Sequence, residues 1–212
     1  MEITWYGHSC FRLRGRGRSV VTDPYSLELG YTLPRFTATV VTVSHQHDYS
    51  NYVRVVRGRP HVIAGPGEYE VGGIFIIGVH TNRSSRKAKE QGRNTAYLIE
   101  FEDIAICHLG DLSSIPSQEQ VEQFNDIDIL MIPVGGRQVL SGTRAAEVVN
   151  LLETKIVIPM QYKVADLNAP LETTRRFLAQ MAVKKPKALE LLKISKAQLP
   201  EETQVVLLEP KR

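Results

Sequence analysis

The sequence predicts an α+β fold in which two β-rich halves each carry appended helices. Short alternating or β-branched runs, typical of strands, recur along the chain of 212 residues. Glycine-rich turns separate the first of these runs, and helix start signals occur between the later ones. No linker divides the chain, so we expect a single domain that spans residues 1–212.

The strand prediction starts with residues 2–6, 10–13 and 19–22, which alternate around a turn at Gly15 and Gly17. Asp23-Pro24 ends this antiparallel group, and residues 27–37 follow as an irregular loop. A double glycine, Gly72-Gly73, predicts a hairpin turn. Further strands are predicted at 40–43, 61–64, 74–79, 93–99, 104–112, 128–132, 155–159 and 205–208.

Helices are predicted from caps and from apolar faces. Ser117 is the expected N-cap of a helix that ends near Phe124, with Gln120 at the capping-box position. Thr143 is the expected cap of a helix over 144–153. A short helix at 52–57 and an amphipathic helix at 171–181 complete the set.

Composition excludes several classes of protein. The net charge is only +3, the apolar fraction is 42%, and no run of residues is long and apolar enough for a membrane span. Two cysteines without clustering do not form a disulfide framework. Because the sequence also lacks a signal-peptide pattern, we expect a cytoplasmic protein.

Basic residues are concentrated in two segments, one around the first glycine turn and one near residue 90. These residues are Arg12, Arg14, Arg16 and Arg18, then Arg83, Arg86, Lys87, Lys89 and Arg93. No aromatic residues are interleaved with them, so we interpret both groups as solvated turns and do not expect a nucleic-acid or membrane partner.

A pair of histidines at the end of a β-branched strand is the strongest sign of a functional site. His45 and His47 follow the run 40–43 and are separated by one residue. In an extended segment, residues two apart point the same way, so both imidazoles can reach one ion. The spacing therefore suggests a metal site.

This stretch resembles the His-x-His-x-Asp-His signature of the metallo-β-lactamase superfamily, with replacements. His45 and His47 keep the first two ligand positions, Tyr49 stands at the aspartate and Ser50 at the third histidine. The order of the remaining motifs is similar to the branch that includes ascorbate-6-phosphate-lactonase-like hydrolases. The resemblance implies a four-layer αββα sandwich and a site for two metal ions.

Three later positions extend the resemblance. In His-Leu-Gly-Asp-Leu, Asp111 matches the aspartate that bridges both metals. Where the branch has Ile-Pro-Met-His-Tyr, Gln161 replaces the ligand histidine and Tyr162 follows it. A further ligand histidine is expected near Arg83-Ser84, and a guanidinium cannot coordinate a cation. Arg83 is instead expected to pair with Asp111.

The resemblance also implies roles for the remaining candidates. Asp111 and Tyr49 are the candidate catalytic residues, although a tyrosine with a pKa of about 10 is a poor base at neutral pH. His8, in an N-terminal motif of the branch, is either a neighbour of the site or a structural histidine. His80 either substitutes for the missing ligand or simply ends its strand.

Three functions remain open. In the first, the metal centre has degenerated, no metal is bound, and the site binds a small-molecule ligand, in particular an anion. In the second, His45, His47 and Asp111 hold a single divalent metal, zinc above all, that hydrolyses a phosphoester, lactone or similar polar substrate. In the third, the chain is a non-catalytic subunit or scaffold of a homo-oligomer.

Overall fold

The computed structural model describes residues 1–83, 92–124, 126–165 and 167–211. Fifteen strands occur in these residues, in chain order β1 Glu2–Trp5, β2 Phe11–Gly15, β3 Arg18–Thr22, β4 Val40–Thr42, β5 His61–Ile63, β6 Gly67–Val71, β7 Ile74–Arg83, β8 Gly92–Phe101, β9 Ile104–His108, β10 Ile129–Pro133, β11 Ile156–Met160, β12 Ala188–Leu189, β13 Leu192–Lys193, β14 Gln204–Val205 and β15 Leu207–Leu208. The α-helices are α1 Gln118–Gln123, α2 Gly142–Leu152 and α3 Arg175–Gln180.

Two mixed sheets form the centre of the molecule. The first sheet has the order β13-β1-β2-β3-β4-β5, and the second has the order β14-β11-β10-β9-β8-β7-β6. β9, β10 and β11 are parallel to one another, as are β3, β4 and β5. Parallel neighbours bring the carboxyl ends of their strands to the same edge, where ligands bind in open sheets.

The two sheets pack face to face on one hydrophobic core. Val20 and Val40 of the first sheet lie in the same buried cluster as Ile106 and Leu130 of the second sheet. α2 adds Val148 to this cluster through one apolar face, as its amphipathic sequence predicts. The predicted sandwich of two packed sheets is confirmed.

The opposite face of the first sheet is covered mainly by loops and 3₁₀ turns. Val21 and Val41 point away from the neighbouring Val20 and Val40 because side chains alternate along a strand. They pack against the buried aromatics of the irregular loop, such as Tyr31, in a second cluster. The 3₁₀ turns in this region are Leu27–Leu29 and Val53–Val55.

Local predictions were accurate where a single signal decided the structure. Ser117 caps α1 in a complete capping box with Gln120, and Gly72-Gly73 joins β6 to β7. The cap predicted for α2 was wrong. Ser141, two residues before Thr143, accepts the hydrogen bond from the backbone N–H of Arg144. Ser141 is also held by a β-bridge to Gly135, so the helix starts earlier.

Two other predicted helices are shorter in the structure. The segment 52–57 contains only the 3₁₀ turn Val53–Val55, and the segment 171–181 contains only α3. Leu171 lies outside α3, and its backbone N–H donates to Ala169 O. None of the helices in the described residues has the length and apolar character needed to cross a bilayer.

Candidate functional site

The carboxyl ends of β4, β9 and β11 converge on a cavity of about 610 Å³ between the two sheets. Two hydrogen bonds join the sheets beside it: Thr95 N–H donates to Ser44 O and the Tyr97 hydroxyl donates to Val43 O, both over 2.8 Å. The polar residues that line the cavity are His8, His45, His47, Tyr49, Arg83, Asp111, Arg137, Gln138, Gln161 and Asn168. The cavity thus collects most of the site residues predicted from the sequence.

Asp111 is the buried centre of this site, and both of its carboxylate oxygens are already engaged. Gln161 Nε2 donates to Oδ1 over 2.6 Å. On the other side, His45 Nε2 lies 3.1 Å and Arg83 Nη2 lies 3.4 Å from Oδ2. Burial opposes ionisation of Asp111, but the interactions with His45, His8, Arg83 and Gln161 together outweigh it, so the pKa of Asp111 lies below its ordinary value.

The backbone that presents Asp111 depends on Gly110 and Asn94. Gly110 has a φ of +56°, and a Cβ there would lie 2.5 Å from both Asn94 Oδ1 and Ser44 Cβ, so only glycine fits. Asn94 Oδ1 accepts from Asp111 N–H over 2.9 Å, while its amide nitrogen donates to Leu109 O over 2.9 Å. These bonds fix the turn after β9.

A buried chain of polar groups backs His45. Ser44 Oγ lies 2.7 Å from Asp23 Oδ2 and 3.0 Å from His45 Nδ1, and Asp23 Oδ1 accepts from Ser44 N–H over 2.7 Å. Asp23 is completely buried. Burial raises the pKa of Asp23 to about 8 against the opposing hydrogen bonds from Ser44. Burial also lowers the pKa of His45 to about 4, although Asp111 opposes that shift.

The shifted pKa values of Asp23 and His45 favour one arrangement of protons in this chain. If Asp23 were ionised, Ser44 would donate to it, and the Nε2 lone pair of a neutral His45 would face the Asp111 carboxylate. A protonated Asp23 donates to Ser44 Oγ, the Ser44 hydroxyl donates to His45 Nδ1, and Nε2–H then donates to Asp111. This second arrangement keeps both residues neutral, as their shifted pKa values favour, and places Nε2–H rather than a lone pair against the Asp111 carboxylate.

His47, Tyr49 and His8 form the aromatic side of the cavity. The rings of His47 and Tyr49 are 4.7 Å apart, and those of His8 and Tyr49 are 6.0 Å apart. His47 is exposed, and its Nδ1 accepts from Tyr49 N–H over 3.2 Å. His8 is buried, and burial lowers its pKa to about 4. His8 lines the cavity, so of its two predicted roles the structure favours that of a residue next to the site.

Gln161 is held in a strained backbone conformation with one polar atom left over. Its φ is +52°, a conformation that non-glycine residues rarely adopt. Its carbonyl approaches Gly135 so closely that a Cβ on that glycine would lie 2.0 Å from Gln161 O. Its side chain is fully buried, and Oε1 has no hydrogen-bond partner among the described residues. Such strain and unmatched polarity are typical of binding sites.

Two candidates from the sequence lie elsewhere. His80 is exposed, because it lies on the opposite face of β7 from the buried Thr81, and it lines a neighbouring cavity. Tyr162 points away from Gln161 and packs on Trp5 with ring centroids 5.1 Å apart. Neither lines the Asp111 cavity. Ser84, the other residue at the expected ligand-histidine slot, lies outside the described residues.

The sequence interpretation missed Arg137, Asp23 and Ser44. Arg137 has a φ of +60° and adds a second guanidinium to the lining of the cavity. The only signal for it was its place directly after Gly135-Gly136, the exit loop of β10. The described residues contain no group of three or more His, Cys, Asp or Glu side chains arranged to hold a metal ion.

Known proteins show similarity along nearly the whole chain. Residues 2–161 match the model of the β-lactamase superfamily domain. A UPF0173 metal-dependent hydrolase of Pyrococcus horikoshii is 30% identical, with 88% of this chain and 97% of that protein covered. A crystal structure from Thermotoga maritima, assigned to the Zn-dependent hydrolases of the metallo-β-lactamase superfamily, is 36% identical with a TM-score of 0.80, and 98% and 97% of the two chains are covered.

A more distant structure agrees in fold alone. The isothiocyanate hydrolase from Delia radicum gut bacteria is 14% identical with a TM-score of 0.68, and 92% of this chain and all of that chain are covered. The order of motifs, the packed sheets and the family match point the same way. The chain belongs to the metallo-β-lactamase superfamily, within the family of metal-dependent hydrolases named UPF0173.

Proposed function

We propose that this chain has lost the metal centre of its superfamily and that the Asp111 cavity binds a small anionic ligand. The observation that carries the proposal is that other side chains already occupy the carboxylate oxygens of Asp111. Side-chain donors from His45, Arg83 and Gln161 already contact both oxygens of the carboxylate, which the superfamily motif would offer to metal ions.

The residues present do not fit a divalent cation. A cation on Asp111 Oδ2 would share that oxygen with the guanidinium of Arg83, which lies 3.4 Å away. Repulsion between like unit charges about 4 Å apart is roughly 4 kcal/mol at an effective dielectric constant near 20, and a divalent ion doubles it. In the arrangement with a protonated Asp23, His45 directs Nε2–H toward the same oxygen and offers no lone pair there. Tyr49, Ser50 and Gln161 stand where the motif has an aspartate and two histidines.

An anion fits the same cavity better. Arg83 and Arg137 contribute two guanidinium groups, which bind phosphate and carboxylate through paired hydrogen bonds. Asp111 is the one carboxylate among the described lining residues, and it is already paired. A volume of about 610 Å³ suits a small molecule.

The similarity to the ascorbate-6-phosphate-lactonase-like branch is part of this proposal. In that interpretation, the chain descends from an enzyme that acts on anionic substrates, and side chains have replaced the metal. The rival function is hydrolysis at one metal held by His45, His47 and Asp111. It is favoured by the relatives, which are named metal-dependent hydrolases.

Metal analysis and anion titration separate the two functions. The chain is purified without chelator, its metal content is measured by mass spectrometry, and inorganic phosphate is titrated by calorimetry at low salt. We expect substoichiometric metal, and phosphate binding that weakens about tenfold or more in Arg137→Gln. Arg144→Gln, an exposed arginine of α2 outside the cavity, is the matched control.

Two results would overturn the proposal. One is stoichiometric zinc or manganese that disappears in His45→Ala, since metal would then depend on the rival ligand set. The other is phosphate binding that is absent, or that Arg137→Gln and Arg144→Gln weaken equally, because the cavity would then not be the anion site.

A further inference from the structure

A second cavity lies directly beside the first one, on the other side of His45 and Arg83. Its volume is also about 610 Å³. It lies between the loop after β4, the segment around Gly65 and the ribbon of β7 and β8. His45 and Arg83 line both cavities, so these two side chains form the boundary between them.

The register of the β7–β8 ribbon sets the chemistry of this second cavity. His80 pairs with Thr95 across the ribbon, and Arg93 lies two residues before Thr95 on the same strand. Residues two apart on a strand share a face, so His80, Thr95 and Arg93 project together. All three line the second cavity. The ribbon thus presents a guanidinium, an imidazole and a hydroxyl on one side.

The second cavity is cationic, although one of its two arginines, Arg83, is paired with Asp111 outside its lining. Arg83 and Arg93 contribute two guanidinium groups, and no Asp or Glu occurs among its described lining residues. Arg83 uses Nη2 for Asp111 in the first cavity, and a guanidinium carries five N–H donors in all. Arg83 therefore has donor capacity left for a second acceptor. Arginines in a concave site are the usual basis for binding an anionic group.

We propose that the two cavities are the two halves of one site, which binds an elongated small molecule with an anionic group at each end. One phosphate or carboxylate group contacts Arg137 in the first cavity, and the other contacts Arg93 and His80 in the second. Arg83 lies between the two groups and reaches both. This inference rests on the proposed anion site. It adds the second subsite and an elongated ligand with two anionic groups.

A series of synthetic probes tests the second subsite separately from the first. The probes are an alkyl monophosphonate and alkane bisphosphonates of increasing length, titrated by calorimetry into the full chain. We expect one bisphosphonate length to bind about tenfold or more tightly than the monophosphonate, because its second group binds without a second loss of translational freedom. Arg93→Gln removes this gain, so that no bisphosphonate then binds more tightly than the monophosphonate, whereas Arg137→Gln weakens both probes.

The outcomes are distinguishable. If the monophosphonate binds but no bisphosphonate binds more tightly, or if Arg93→Gln leaves the gain intact, the second subsite is rejected and the first remains. If neither probe binds the unmodified chain, the proposed anion site and this inference fail together. Arg93 is exposed on the ribbon, so Arg93→Gln is expected to fold, and its unfolding midpoint is measured to verify this.

Discussion

Two buried aspartates lie near opposite ends of the second sheet and are satisfied in different ways. Asp111 follows β9 at the carboxyl ends of the parallel strands, where side chains from three separate elements donate to it. Asp128 precedes β10 at the other end. Its carboxylate accepts from Ala105 N–H over 2.9 Å and from the half-exposed Lys196, whose Nζ lies 2.6 Å from Oδ2.

The difference separates a structural carboxylate from one that belongs to a site. Asp128 fixes two loops with a backbone donor and one surface cation. Both aspartates line a cavity, but Asp111 is also backed by the buried Asp23-Ser44-His45 chain and accepts from Gln161 Nε2, whose Oε1 has no partner among the described residues. Such density of paired and unpaired polar groups is expected where a ligand binds rather than where a fold is held.

Restoring the family's ligands at the Asp111 end is the largest change that we predict. The combined replacement Tyr49→Asp, Ser50→His and Gln161→His, together with Arg83→His, supplies lone pairs in place of donors and removes the guanidinium beside Asp111. We expect zinc affinity to rise by several orders of magnitude, measured by calorimetry and by metal content after dialysis.

The control keeps Arg83 while it changes the other three positions. That variant retains the positive charge 3.4 Å from Asp111 Oδ2, so we expect it to bind zinc much more weakly. Equal zinc binding by both variants would show that Arg83 does not exclude the cation. Tight zinc binding by the unmodified chain would remove the contrast between the two aspartates.

The sequence predicted the Asp111 end through the order of motifs, and it predicted Arg83 through a missing ligand. It did not reveal Asp23, which was interpreted only as the end of β3. Asp23 and Ser44 are separated by 21 positions in the chain and meet only because β3 and β4 pair in parallel. Arg137 was missed for a similar reason, since a left-handed backbone conformation directs it into the cavity. Pairings between distant elements leave no local pattern.

The Asp23 chain gives the second prediction, which concerns pH. The pKa of Asp23 is about 8 in the folded chain and 3.8 for an unperturbed aspartate, so between these pH values the folded state binds one more proton. Stability from this group is therefore complete below pH 3.8 and is lost as pH rises toward 8, by roughly 6 kcal/mol at most.

Asp23→Asn tests that assignment because its amide mimics the protonated acid. Nδ2–H can donate to Ser44 Oγ and Oδ1 can accept from Ser44 N–H, so the variant keeps the chain without a titrating group. We expect it to be more stable than the unmodified chain in alkaline solution and to lose much of the decline of stability with rising pH, as measured by urea unfolding. Asp128→Asn is the control, and it is not expected to raise stability. A stability loss in Asp23→Asn at alkaline pH would instead indicate an ionised Asp23.

The smallest predicted effect compares the two aspartates directly, through Asp111→Asn and Asp128→Asn. At Asp111 the substitution leaves a partly buried guanidinium without its carboxylate and places an amide N–H against other donors, so we expect a loss of roughly 3 kcal/mol in the free energy of unfolding. At Asp128 the partner Lys196 is 57% exposed and can be solvated, so we expect roughly 1 kcal/mol.

Urea unfolding of both variants at neutral pH decides between two roles for the side chains that surround Asp111. A larger loss at Asp111 means that the donors around it hold the fold in the absence of a ligand, as a replaced metal site requires. If Asp111→Asn instead stabilises the chain, then the carboxylate is retained at a cost to stability, as groups that bind ligands often are. In that case Asp111 itself would have to take part in binding, and the anion site would need a proton or a cation to receive its ligand.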